Sequence, residues 1–130
     1  MAAVVLSHEN FEQTITENSL VLVDFWAPWC GPCRNFAPVF EAASQRHADA
    51  VFAKVNTDDE QQLAAAFEIQ SIPTLAIFRD QICVFAQPGA LPASALEEII
   101  QRVKALDMDD VRRRIAEAEK NGMPEENGAE

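Results

Sequence analysis

Leu20-Val21-Leu22-Val23-Asp24-Phe25-Trp26, followed by Ala27-Pro28-Trp29-Cys30-Gly31-Pro32-Cys33, decides the reading of this chain. The first seven residues form a near-continuous apolar run, the pattern of a central strand covered on both faces. From Cys33 to His47 the pattern reads as a helix, with Pro38 removing one hydrogen bond and bending it. The two cysteines therefore stand where a strand hands over to a helix N-terminus, with a turn-forming Gly31-Pro32 between them. A disulfide needs its Cα atoms within about 7 Å, which positions i and i+3 of a first helical turn satisfy. A CxxC at such a junction reads as a redox dithiol.

The location sets the chemistry. A helix N-terminus carries unpaired N–H groups and a partial positive charge, so a thiolate there is favoured over a thiol. Cys30 lies at the tip, where an exposed sulfur is expected; Cys33 lies further in, where burial is expected. We assign Cys30 as the attacking thiolate and Cys33 as the resolving thiol. Asp24 breaks the apolar strand, where an ionised carboxylate is costly unless paired. Burial raises its pKa, and an acid beneath Cys33 is suited to take that thiol's proton as it attacks.

Three separated elements carry a family resemblance: Trp26-Ala27-Pro28-Trp29-Cys30-Gly31-Pro32-Cys33-Arg34, the strand Val23-Asp24-Phe25-Trp26 before it, and Ile72-Pro73-Thr74 after it. In type, order and spacing they resemble the thioredoxin family over roughly residues 4–105. The resemblance implies the thioredoxin fold, an α/β architecture with a mixed sheet of about five strands flanked by helices, and protein-disulfide reductase activity. It implies that Asp24 matches the family's buried aspartate, with Lys54 on the adjacent strand offsetting it; an exposed strand lysine is the alternative. It implies a cis Pro73 facing the dithiol, where X-Pro statistics alone, about 5% cis in folded proteins, predict trans. That proline leaves the backbone of Ile72 free to pair with an extended substrate strand, Thr74 follows it in many members, and Gly89-Ala90 joins the groove. Trp29 is expected on the docking face and Trp26 against the active-site helix. Gly31-Pro32 between the cysteines is the pairing usual in reductants, so the implied partners are disulfide-containing proteins and a thioredoxin reductase. No cofactor beyond the Cys30–Cys33 couple is expected.

Composition narrows the alternatives. At 130 residues the chain is one domain, with 21 acidic against 10 basic residues and a net charge of −11. That balance argues against nucleic acid or an anionic membrane as a partner. No apolar run approaches the ~20 residues of a membrane span, and Met1–Glu9 lacks the basic start of a signal peptide. A cytoplasmic monomer is expected. A zinc site is disfavoured, because no second CxxC exists and only Cys83, His8 and His47 remain as ligands. The competing class is an interaction module or chaperone-like adaptor on the same fold, for which an intact dithiol has no use.

Along the chain, Val4–Leu6 reads as a short strand. Ser7 or Asn10 is placed to cap a helix to about Thr16, and Val51–Val55 alternates as a strand. Asp58 or Asp59 opens a helix with Leu63, Ala64 and Phe67 inward. Thr74–Phe78 and Ile82–Ala86 form a hairpin around Arg79-Asp80-Gln81, with Gln81 where the family commonly has glycine. Cys83 shares the parity of Phe85 and reads as a small buried hydrophobe, the alternative being a semi-exposed thiol open to oxidation or dimer formation. A helix opening at Leu91-Pro92-Ala93 buries Leu96, Ile99, Ile100 and Val103. We divide the chain into a domain, residues 1–106, and an extension, 107–130. In the extension, Asp107 and Asp110 resemble a capping pair, and Met108, Val111, Ile115 and Ala118 form one stripe. Asp109/Arg113, Asp110/Arg114 and Arg113/Glu117 are spaced for ion pairs. Gly122 and Pro124 stop this helix, Glu125–Glu130 reads as disordered, and docking of the stripe on its own domain is expected, with contact to a partner or to another copy as the alternatives.

Overall fold

The computed structural model describes residues 3–121. Ten elements follow one another: β1 (Val4–Val5), α1 (Phe11–Glu17), β2 (Leu20–Trp26), α2 (Gly31–Arg46), β3 (Val51–Asn56), α3 (Gln61–Ala66), β4 (Thr74–Arg79), β5 (Ile82–Pro88), α4 (Ala93–Lys104) and α5 (Met108–Lys120). One five-stranded sheet has the order β1-β3-β2-β4-β5. β1, β3 and β2 run parallel, while β4 lies antiparallel to both β2 and β5. This is the expected mixed sheet with helices on both faces.

Strand alternation sorts the core into two layers. On one face Leu20, Leu22, Phe52, Leu75 and Ile77 pack with Phe36 and Phe40 of α2 and with Leu96, Ile100 and Val103 of α4. On the other, Val21, Val23, Phe25, Ala76 and Phe78 pack with Phe11 and Ile15 of α1, and Phe67 closes the layer through ring contacts at 5.3–5.9 Å. Asp24 and Trp26 share the parity of Leu20 and Leu22. Both therefore sit on the α2 side of the sheet, at the end where β2 gives way to the cysteines.

Several boundaries move. α2 begins at Gly31, two residues before the expected start, because Cys30 itself is the N-cap: its sulfur accepts the Cys33 amide N–H at 3.1 Å. α3 begins only at Gln61, since Asp58 and Asp59 belong to the turn that follows β3. Cys83 is exposed, not buried. The register slips between Ile77 and Phe78, so Ile77 pairs with Phe85 but Phe78 with Cys83. A bulged strand carries one extra residue, which breaks the alternation linking Cys83 to Phe85.

The hairpin turn keeps a glycine-like backbone without glycine: φ is 52° at Asp80 and 71° at Gln81. A non-glycine residue there costs about 1–2 kcal/mol, less for aspartate. Gln81→Gly is expected to stabilise the protein by about 1 kcal/mol in urea denaturation; an unchanged midpoint would show the turn to be unstrained.

α5 begins as expected, with the Asp107 carboxylate accepting the Asp110 N–H at 3.2 Å. Its root is docked: Met108 is buried, and Arg112 reaches Asp80 at 3.4 Å. Arg79 donates to the carbonyls of Val103, Lys104 and Leu106, pinning the α4–α5 junction to the hairpin. Burial is incomplete along the rest of the stripe: Val111 and Ala118 are half-buried and Ile115 is 40% exposed. Docking in cis is shown at the root of the helix, by buried Met108 and the Arg112–Asp80 pair. Of the expected ion pairs Asp110–Arg114 forms, while Asp109 pairs with Arg112 and Arg113 with Asp110, one residue closer than expected. The expected helix stop at Gly122 and Pro124 and the expected disorder of Glu125–Glu130 lie outside the described residues.

Candidate active site

Cys30 and Cys33 form a disulfide with a Cα–Cα distance of 5.3 Å. Gly31 and Pro32 occupy the first helical positions between them, where proline's missing N–H and fixed φ are no liability. Cys30 is not exposed as expected: in the disulfide it is 4% exposed and Cys33 3%. Ala27, Trp26 and Ile72 pack around the pair and cover it. The two sulfurs differ in surroundings and not in depth. Cys30 Sγ receives the Cys33 N–H, and it lies 3.6 Å from the Ile72 carbonyl. A donor aimed at Cys30 Sγ favours its anionic form.

The Ile72–Pro73 peptide is cis, against the X-Pro prior and in line with the resemblance. Around it the chain is tied back on itself. Thr74 Oγ1 donates to the Ser71 carbonyl at 2.5 Å, and the Gly89 N–H donates to the Pro73 carbonyl at 2.8 Å. Gly89 has φ 109°, a backbone that side-chain-bearing residues rarely adopt. The Gly89-Ala90 segment thereby reaches the cis-proline loop, with Ala90 exposed.

Toward the end of β2 that leads to the cysteines, Asp24 is fully buried, and neither carboxylate oxygen has a hydrogen-bond partner among the described residues. Desolvation raises its pKa to about 6, only partly opposed by Lys54. Lys54 is the register partner of Asp24 on β3 and holds its Nζ 3.8 Å from Oδ2. The same ammonium stands 4.7 Å over the Trp26 ring. Lys54 is therefore not a plain exposed lysine. Lys54→Met is expected to push the Asp24 pKa above 6 and to slow an Asp24-dependent step about threefold at pH 6; a pH–rate profile checks this, and an unmoved profile would uncouple the pair.

Trp29 is 67% exposed, as a docking residue requires. Its indole N–H donates to both oxygens of Asp58, at 3.1 and 3.2 Å. Two residues escaped the sequence reading. Asp58 orients Trp29, and Arg34 donates to the Pro28 carbonyl at 2.8 Å, closing the loop before Cys30. Nothing in their local pattern signals these partners, which arise where the β3–α3 turn and the first turn of α2 meet the Trp26–Cys30 loop.

The thioredoxin family model matches residues 2–102. The chain belongs to the thioredoxin family. It is 55% identical over 116 residues to a putative thioredoxin 2 of Streptomyces coelicolor, covering 89% of this chain and 87% of that one. It is 44% identical to thioredoxin 1 of Synechococcus elongatus, over 77% of this chain and 95% of that one. Among solved structures, the Plasmodium falciparum thioredoxin aligns with a TM-score of 0.73 at 35% identity, over 77% of this chain and 98% of that one. With its CxxC disulfide, this member of the family is a thiol-disulfide oxidoreductase that reduces protein disulfides. No helix among the described residues is long and apolar enough to cross a membrane. Among the same residues, no three His, Cys, Asp or Glu side chains gather into a metal-binding group.

Proposed function

We propose that reduction runs through Cys30 as nucleophile, Cys33 as resolving thiol and Asp24 as proton acceptor. Cys30 thiolate attacks one sulfur of a substrate disulfide. The S–S bond breaks, the leaving thiolate takes up a proton, and a mixed disulfide remains. Cys33 passes its proton toward the Asp24 carboxylate and attacks Cys30 Sγ. The second substrate thiol departs, so the substrate has gained two electrons and two protons and the Cys30–Cys33 disulfide has formed. The observation that carries this reading is the asymmetry of the pair: the helix N–H is aimed at Cys30 Sγ, while a buried acid lies on the α2 side of the sheet, toward the end of β2 that leads to the cysteines.

Ile72, Pro73 and Thr74, with Gly89 and Ala90, supply the substrate groove, Trp29 its exposed wall, Gly31 and Pro32 its floor, and Trp26 with Lys54 the support beneath Asp24. The tied-back cis-proline loop and the packing of Ile72 against the disulfide support this assignment. The activity needs a recycling reductase and a reducing compartment, so we place the protein in the cytoplasm, in a cycle with thioredoxin reductase. Residues 1–106 act as the domain and 107–130 as an extension. The family match ending at residue 102 supports this division. The Streptomyces alignment spans more residues than the domain holds and so reaches into the extension. The test is catalysis of insulin-disulfide reduction by dithiothreitol. Acceleration at low micromolar protein is expected; no acceleration would reject the reductase cycle and favour the adaptor class.

A further inference from the structure

Resting on that reading, we infer that the substrate groove continues into an acidic subsite at Glu68, which selects disulfides flanked by basic side chains. A cleft of about 250 Å³ opens beside the cis-proline loop, with Glu68, Gln70, Ser71, Thr74, Gln87 and Pro88 in its walls. It lies at the same end of the sheet as the disulfide, because Phe25 of β2 pairs with Thr74 and Thr74 with Pro88. Ser71 and Thr74 bracket the Ile72–Pro73 peptide, and Pro88 precedes the glycine bonded to the Pro73 carbonyl. A substrate strand following the Ile72 backbone away from Cys30 therefore runs toward this cleft.

The cleft walls mix apolar side chains, Phe67, Ile69 and Ala86 among them, with polar ones, and they carry one charge. Glu68 is exposed, makes no ion pair among the described residues, and has no basic residue beside it in the lining. It stands just past the end of α3, where Ile69 N–H bonds to Ala64 O and Glu68 N–H to Ala65 O. This is the closure that favours glycine, and Glu68 adopts the required φ of 55°. The closure fixes the Glu68 backbone beside the loop.

The other flank of the disulfide has the same sign. Asp58 holds Trp29, with Asp59 and Glu60 next in the chain. Lys54 is engaged with Asp24 and Trp26, while Arg34 donates to the Pro28 carbonyl, keeps its charge there and is absent from the cleft lining. A lysine or arginine within a few residues of the substrate cysteine meets an unopposed carboxylate at Glu68, whereas an acidic residue there meets repulsion.

The test uses the full chain and two cystine-linked peptides identical except for lysine or glutamate around the half-cystine. Rates are normalised to those with hydroxyethyl disulfide, which is small and uncharged. The wild type is expected to reduce the lysine peptide with about tenfold higher kcat/KM at low salt, with the preference shrinking at high salt. Glu68→Gln, which keeps the side-chain shape, is expected to lower that ratio about threefold, and Glu68→Lys to abolish or invert it. Equal rates for the two peptides, or an unchanged ratio in Glu68→Gln, would overturn the subsite. Failure of the wild type to reduce any of the three disulfides would instead reject the reductase reading on which it rests.

Discussion

Cys33→Ser is expected to lock this protein onto its substrate. With the resolving thiol gone, Cys30 still attacks a disulfide, but nothing displaces the adduct. A stable mixed disulfide through Cys30 accumulates, visible by non-reducing electrophoresis and lost on adding dithiothreitol. Cys30→Ser forms no such adduct, and either substitution lowers turnover on the order of 10³-fold or more, the scale of losing a nucleophile. Burial does not produce the asymmetry, since both cysteines are nearly inaccessible in the disulfide. It comes from the Cys33 N–H aimed at Cys30 Sγ, a donor that favours the anionic form of that sulfur. An adduct trapped on Cys33 in the Cys30→Ser protein would reverse the assignment.

Asp24→Asn is expected to make the protein more stable and less active. The carboxyl has a pKa near 6 in the folded chain against an ordinary 3.8. A raised carboxyl pKa means that the folded state binds the proton more tightly than the unfolded state. Stability therefore falls as pH rises from about 3.8 to 6, and the full cost persists above that window. A difference of roughly 2 units corresponds to about 3 kcal/mol. The cause is visible in the structure: two carboxylate oxygens without hydrogen-bond partners, and one ammonium at 3.8 Å. Asn removes the charge and keeps the volume. Urea denaturation is expected to show a gain of up to about 3 kcal/mol at pH 7.5 and little difference near pH 3.5. Resolution of the mixed disulfide slows about 100-fold, within the range for losing a general base. A variant whose stability gain is the same at both pH values would mean that ionisation of Asp24 is not the origin of the cost.

The pattern of the sequence holds the frame of this molecule. Leu20–Trp26 reads as a central strand because it is apolar on both faces, and it is buried between two strands with helices on either side. Asp24 is legible for the same reason, as the one residue that the apolar run should not contain. Cys83 is exposed where its parity predicts burial, because a slip of one residue in pairing with β4 leaves no trace in local alternation. The burial of Cys30 is equally non-local: Ile72, 42 residues away, supplies part of its cover. The Trp29–Asp58 and Arg34–Pro28 bonds join segments that only the fold brings together. The α5 stripe has helical spacing throughout, yet only Met108 within it is buried, because spacing specifies a face and not what covers it.

The reduction potential of the Cys30–Cys33 couple, measured by equilibration against a defined dithiol buffer, tests the central claim most directly. A dedicated reductant is expected near about −270 mV, the potential of thioredoxin itself. A potential at or above about −180 mV, the range of disulfide isomerases, would contradict the account, because electrons would then flow from substrate dithiols to this protein.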